Sequence, residues 1–136
     1  MLPSKKVLTL AAARIVMDAA EAEATRNGWR VSIAIVDDGG FPVLIQRLDG
    51  AAVATAATAT GKAHTAAIFR RPTKAMEDTV NNGRFAFLNA PDVVPLEGGL
   101  PITVDGDVVG AIGVSGVKSS QDAEIGQAGI DALLAG

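Results

Sequence analysis

A glycine-rich hairpin, GGLPITVDGDVVGAIGVSG at residues 98–116, is the feature that most restricts how this chain can fold. Its centre, Asp105-Gly106, lies between two apolar runs, and this pair favours a two-residue type I′ turn because Asp and Gly tolerate positive φ. Residues 108–114 are apolar at every position except the glycines. A strand with one solvated face alternates apolar and polar residues, so this run predicts a central strand covered on both faces.

Three glycines, Gly110, Gly113 and Gly116, recur at every third position of this strand. Without side chains there, a helix, another backbone or a flat ligand can come close, and we expect function nearby. The spacing differs from the dinucleotide-binding fingerprint G-x-G-x-x-G, which opens a parallel βαβ unit. It also differs from the nucleophile elbow G-x-S-x-G, because Val117 stands at the position of the last glycine.

The size and charge of the chain narrow the classes of partner. Its 136 residues predict one domain over residues 1–136. The net charge of −3 and the scattered Lys and Arg residues lack the basic patch of a nucleic-acid-binding protein. The chain has no run of 18 apolar residues that would cross a membrane. The first apolar stretch is interrupted by Arg14 and Asp18, which is unlike a signal peptide, so we expect a cytoplasmic protein.

The chain has no cysteine and one histidine. Disulfides, thiolate metal sites and cysteine nucleophiles are therefore excluded, as is a zinc site built from thiolates or several imidazoles. The absence of Tyr and the small number of other aromatic residues argue against a platform for stacking nucleic-acid bases.

Periodicity predicts two hairpins with helices between and around them. The predicted loop of the first hairpin is at residues 37–40, and Ser119 and Ser120 are candidate caps of the last helix. Hairpins with helices laid on them indicate an α+β domain with an antiparallel sheet. In chain order, the first predicted elements are a helix from Lys5 to Asn27 capped by Ser4, strands at 31–36 and 42–48, and a helix at 51–69. A helix at 74–82 capped by Thr73 and a loop at 85–95 follow, with a short strand before Glu97 as an option. The second hairpin and the last helix complete the chain.

Several short motifs follow one another in a specific order: Asp37-x-x-Gly40, Arg47-x-Asp49-Gly50-Ala51, Lys62-Ala63-x-Thr65-Ala66, Gly98-Gly99-x-Pro101-Ile102, the glycines of residues 110–116, and a last helix near Asp122. Together they resemble the GlcG/HbpS family of small haem-binding or uncharacterised domains, which also occur fused to some cobalamin adenosyltransferases. The resemblance extends from Val7 to Leu134. It implies a profilin-like fold, with a five-stranded antiparallel sheet flanked by helices on both faces, and a homo-oligomer.

The same resemblance implies two functional hypotheses. The first is a haem-binding or tetrapyrrole-binding protein that acts as a carrier, sensor or buffer. The alternative is a cofactor-independent enzyme, such as an isomerase or tautomerase, or an accessory protein. Either would act on small organic acids or intermediates of aromatic catabolism, because several family members lie in operons for such compounds. Self-association is also expected from the residues, since an Ala/Thr-rich helix and a glycine-rich strand present flat, weakly charged surfaces.

Lys62 and His64 are the first candidate ligand-binding residues. They are two positions apart, about 200° around a helix of 3.6 residues per turn, so they face different surroundings. Lys62 either ties the helix to a carboxylate such as Asp49 or binds an anionic group of a ligand. His64 is the only imidazole available as an axial ligand of haem iron, and its alternative role is packing or an interface.

The remaining candidates are Arg47, Asp49, Glu97, Gly98 and Gly99. Arg47 and Asp49 alternate onto one face of a strand, where they form either an ion pair or a carboxylate-binding site. Gly98 and Gly99 offer unobstructed backbone N–H groups beside Glu97, which suits either an anion-binding nest or a plain tight turn. In the enzyme alternative, Glu97, Asp49 or His64 supplies a general base, and Arg47 or Lys62 holds the acid group of the substrate.

Overall fold

A four-stranded antiparallel sheet lies at the centre of the structure, a computed structural model that describes residues 1–136. The strands are ordered β2-β1-β4-β3 across the sheet. The elements are α1 (Leu10–Arg26), β1 (Ser32–Asp37), β2 (Pro42–Arg47), α2 (Thr55–Phe69), α3 (Thr73–Asn81), a 3₁₀-helix (Phe85–Asn89), β3 (Gly99–Val104), β4 (Asp107–Ser115) and α4 (Ser119–Ala135).

The second hairpin has the predicted turn. Asp105 and Gly106 both have positive φ, 50° and 84°, and they join β3 to β4. β4 lies between β1 and β3, so the prediction of a central strand is confirmed. The two proline-containing strands, β2 with Pro42 and β3 with Pro101, form the edges, where a missing N–H donor is tolerated.

The α+β architecture is confirmed, but the expectation of five strands is wrong. The two hairpins supply four strands, and residues 90–98 add none. Pro91 and Pro95 have no N–H to donate to a ladder. The N–H of Val94 is donated instead to Thr65 Oγ1 of α2, at 2.9 Å. The segment before Glu97 is therefore held by a helix and not by a neighbouring strand.

Helices cover both faces of the sheet. On one face, α1 and α4 pack on large aliphatic side chains that include Ile33, Ile35 and Ile112. On the other face, α2 packs through its alanines on Ala34, Val36 and Ala111. Small residues on both sides bring α2 very close to the sheet. The α2 face holds the candidate site, because the first hairpin turn and α2 meet there.

Helix boundaries differ from the predicted ones where side chains have other partners. α1 begins at Leu10 because Thr9 caps it by accepting the Ala12 N–H at 3.1 Å. Lys5 and Lys6 are outside the helix, where they form ion pairs with Asp38 and Asp105.

The other helices also begin at residues different from those predicted. α2 begins at Thr55 and not at residue 51. Thr73 is the first residue of α3, and its hydroxyl accepts the N–H of Gly99 in place of capping the helix. Ser119 and Ser120 lie inside α4, after Lys118 at the cap position. None of the helices is both long and apolar enough to cross a membrane.

Candidate functional site

His64 lies at a groove of about 550 Å³ between the first hairpin turn, α2 and the segment after the 3₁₀-helix. Its volume is in the range of small-molecule sites. The groove is formed by parts of the chain that are distant in sequence and meet only because α2 packs on the sheet. Its lining residues are Gly40, Phe41, Pro42, Thr60, Gly61, His64, Ala90, Asp92, Val93 and Val94.

The His64 imidazole is held by one hydrogen bond. Nδ1 lies 2.8 Å from the carbonyl oxygen of Gly40. A carbonyl oxygen only accepts, so Nδ1 carries the proton in this contact. Nε2 has no hydrogen-bond partner in the protein. Every buried side-chain nitrogen and oxygen does have such a partner, so Nε2 is not buried. The half-buried ring thus leaves Nε2 accessible, and His64 is one of the residues that line the groove.

The walls of the groove combine apolar side chains, such as Phe41 and Val94, with the polar residues Thr60 and Asp92. Phe41 is 67% exposed although it is a large aromatic residue. Val94 packs against Gly61 so closely that a Cβ there would lie 2.5 Å from Val94 Cγ2. Thr65 fixes this wall, because its hydroxyl donates to Gly61 O at 2.8 Å and accepts the Val94 N–H. Such a groove favours a ligand with an apolar body over a small, highly charged one.

Lys62 points away from His64, as the helical spacing predicts, and is 3% exposed. Its ammonium donates to Val114 O at 2.9 Å and to Asp122 Oδ2 at 3.2 Å. The partner is therefore Asp122 of α4, and the expected contact with Asp49 is not formed. Asp122 is 2% exposed and also accepts the Val117 N–H. Burial raises the pKa of the Asp122 carboxyl above its usual value, while the charge of Lys62 acts in the opposite direction.

Gly98 and Gly99 give the backbone room beside this ion pair. Gly98 has a φ of 130°, and a Cβ on it would lie 2.8 Å from Lys62 Nζ. A Cβ on Gly99 would overlap the carbonyl group of Lys62. The Gly99 N–H is donated to Thr73 Oγ1 at 2.8 Å, so it is not free for an anion. Both glycines are buried and line none of the grooves.

The structure does not bring Arg47, Asp49 and Glu97 to His64. Arg47 is the last residue of β2 and pairs with Ser32 of β1. Gly40, which holds His64, lies beyond the first residue of β2. The six extended residues of the strand span about 17 Å between these two ends. Asp49 follows the strand, lines a different shallow groove and forms no ion pair with Arg47. The N–H of Glu97 is donated to Glu77 of α3 at 3.4 Å. Of the seven candidates, His64 alone lines the groove between the first hairpin turn and α2.

Two features of the site were not identified from the sequence. The first is the partnership of Asp122 with Lys62, since the early acidic position in α4 also suits the helix dipole. The second is the groove wall at Asp92, Val93 and Val94, which was predicted only as loop. The prolines at positions 91 and 95 were the available signal for an irregular segment, but they carry no information on which surface it covers.

Comparison with known proteins identifies a family and several relatives. A family model described as haem degrading protein HbpS-like matches residues 8–131. Protein GlcG of Escherichia coli strain K12 is 46% identical over 112 residues, which are 82% of this chain and 84% of that protein.

Two solved structures are also similar over most of the chain. A double mutant of HbpS from Streptomyces reticuli superposes with a TM-score of 0.88 and 32% identity, covering 96% of this chain and 89% of that one. The PduOC:haem complex superposes with a TM-score of 0.86 and 27% identity, covering 93% and 95%.

Proposed function

The chain belongs to the HbpS-like family, and on that premise we propose that it binds haem or a related tetrapyrrole at the groove beside His64. The family is described as haem degrading, and one similar solved structure is a complex with haem. Because fold alone does not assign function, the proposal depends on the side chains of the groove.

The observation that carries the proposal is the state of the His64 imidazole. Nδ1 donates to Gly40 O, and Nε2 keeps an unpartnered position at the groove. A ring nitrogen bound to a backbone carbonyl with the other nitrogen free is the arrangement typical of metal-ligating histidines. His64 therefore fits the role of axial ligand. When bound, the haem iron would supply reversible binding of small ligands or electron transfer.

The walls of the groove fit the rest of a tetrapyrrole. Phe41, Pro42, Val93 and Val94 provide aromatic and aliphatic contact area for a flat apolar ring. The exposure of Phe41 is explained if a ligand covers it. One imidazole on an open groove favours exchangeable binding, which suits a carrier, sensor or buffer in a homo-oligomer better than a permanent haem enzyme.

The alternative of an enzyme or accessory protein for small organic acids has less support. General acid–base chemistry needs its groups within hydrogen-bond reach of one substrate. Arg47 and Asp49 form no ion pair, Glu97 donates its N–H to Glu77 of α3, and Lys62 is engaged by Asp122. No observation groups them around a cavity.

A haem titration of the apoprotein tests the proposal. Saturable growth of a Soret band is expected, with a changed spectrum and weaker binding in His64→Ala. Arg47→Ala is the matched control, because Arg47 is exposed at the far end of β2 and should leave both unchanged. Absence of a saturable Soret change in the wild type would contradict haem binding, and an unaltered His64→Ala spectrum would exclude this imidazole as ligand. Loss of small-acid binding in Arg47→Ala would favour the alternative.

A further inference from the structure

We propose that the Asp37-x-x-Gly40 turn is a positioning device that sets the tautomer of His64 and so directs the Nε2 lone pair to the groove. That the ligand is haem rests on the proposed function. The tautomer of His64 does not, because it is a property of the ligand-free protein. Gly40 and Asp37 are thus positioning residues, since the contact with a ligand would be made by His64.

The first step is the proton on Nδ1. The Gly40 carbonyl oxygen lies 2.8 Å from Nδ1 and has no proton to give. The neutral ring bound in this way carries its proton on Nδ1 and a lone pair on Nε2. A free neutral imidazole side chain in water prefers the opposite tautomer, with the proton on Nε2. The turn therefore selects the form that can bind a metal through the nitrogen at the groove.

The second step is the requirement for glycine at position 40. Gly40 has a φ of 86°, in the left-handed region that other residues rarely adopt. A Cβ on Gly40 would lie 2.9 Å from Cε1 of His64 and closer still to Nδ1. Any side chain would push the imidazole from its place over the carbonyl group. The close approach that makes the hydrogen bond therefore favours glycine at position 40, since a larger residue would displace the imidazole.

The third step is the rigidity of the turn. Asp37 Oδ1 accepts the N–H of Gly39 at 3.0 Å and the N–H of Phe41 at 2.9 Å. Two backbone bonds, Gly40 N–H to Asp37 O and Asp37 N–H to Phe41 O, close the same turn. These four bonds fix the peptide on both sides of Gly40, and with it the direction of its carbonyl group.

The turn is also tied to the helix that carries His64. Arg70, at the end of α2, donates from Nη1 to Asp38 O at 2.8 Å. The helix and turn are thus joined twice, by His64 at Gly40 and by Arg70 at Asp38. Asp37 and Gly40, singled out in the sequence as one motif, hold the imidazole although the side chain of Asp37 does not line the groove.

The test is the imidazole ¹⁵N spectrum of the apoprotein, recorded with the ring in its neutral form. The chain has one histidine, so the signals need no assignment. The wild type should show a protonated Nδ1 and an unprotonated Nε2, and Gly40→Ala should move the ring toward the Nε2-protonated form. Gly106→Ala in the second hairpin is the matched control, because its φ of 84° is close to that of Gly40 while a Cβ there meets nothing within 4 Å.

A haem titration of the same variants adds the second readout. Gly40→Ala should raise the dissociation constant by about 10–100-fold, the usual effect of losing a partner that orients a metal ligand, and Gly106→Ala should not. A wild-type ring protonated on Nε2 would overturn the positioning proposal even if haem binds. This outcome is measured on the wild type alone, so it does not depend on whether any variant folds. Retention of the Nδ1-protonated form in Gly40→Ala would overturn it as well. The predicted tautomer without any saturable Soret change would overturn the proposed function alone.

Discussion

Two residues of α2, only two positions apart, have opposite roles. His64 presents a free nitrogen at the groove, while Lys62 is enclosed by the backbone of β4 and the carboxylate of Asp122. An ammonium ion so deeply buried needs a counter-charge and a hydrogen-bond acceptor, and it has both. Lys62 thus braces α2 against β4 and α4, and the glycines at positions 98 and 99 make room for that brace.

Removal of the lysine should therefore affect stability more than ligand binding. In Lys62→Met the Asp122 carboxylate loses its buried cation, and we expect the free energy of unfolding to fall by about 3–5 kcal/mol in denaturant titrations. The double variant Lys62→Met/Asp122→Leu should recover much of the loss, since it removes both charges. Lys74→Met, which breaks an exposed pair with Asp78, should leave the midpoint almost unchanged. A Lys62→Met protein as stable as the wild type would contradict the bracing role.

For single residues, the sequence predicts the direction in which a side chain points but not the residue that it contacts. The separation of Lys62 and His64 follows from helical geometry and is confirmed. The partner of Lys62 is 60 positions away in Asp122, and no local rule connects them. Asp49 is nearer in the chain, yet it lies outside β2 and lines a different groove. Long-range pairing depends on how α4 docks, which is a property of the packed core.

At the scale of elements, the closest packing in the molecule joins α2 to β4. A Cβ on Gly113 would overlap the Ala59 carbonyl oxygen and lie 2.5 Å from Ala63 N. Both obstacles are backbone atoms of a helix, which cannot yield as a side-chain tip can. The close neighbour that the glycine spacing predicts is thus α2 at Gly113, whereas Gly110 faces the carbonyl oxygen of Val36 in β1. Gly116 faces the backbone of Arg30 and Val31.

Gly113→Ala should separate α2 from the sheet. We expect a destabilisation of about 3 kcal/mol or more, or a failure to fold, measured by thermal and denaturant unfolding. Gly126→Ala in α4 is the control. A Cβ there would meet only side-chain atoms of Ile112 and Leu100, at 3.3 Å, and a helix gains from alanine. Equal effects of the two substitutions would show that the close contact at Gly113 is not required.

Element types are better predicted than their ends or their number. Both hairpins and the long helices follow from periodicity and turn residues, because these signals are local. The first helix begins five residues later than predicted since Lys5 and Lys6 bind Asp38 and Asp105 across the molecule. The fifth strand came from the family resemblance, and two prolines and the hydroxyl of Thr65 exclude it here.

At the scale of the whole molecule, the surfaces expected to drive self-association are already buried inside one chain. The alanines of α2 pack against Ala111 and Gly113 of β4. What remains exposed is different: β2 is an uncovered edge strand carrying Ile45, which is 48% exposed. An open edge with apolar side chains favours pairing with another chain.

Self-association through this edge is therefore our last prediction, with a second copy of the chain as the partner. The wild type should sediment as a closed oligomer at micromolar concentration, because pairing would cover both the unpaired backbone of β2 and Ile45. Ile45→Lys should shift it to the monomer, since a charge would then be buried at the contact. Thr103→Lys, exposed on the opposite edge strand β3, is the matched control and should leave the oligomer intact. A wild-type monomer would contradict self-association itself. Dissociation by Thr103→Lys alone would place the contact on β3, because a charge acts on assembly only where two copies meet.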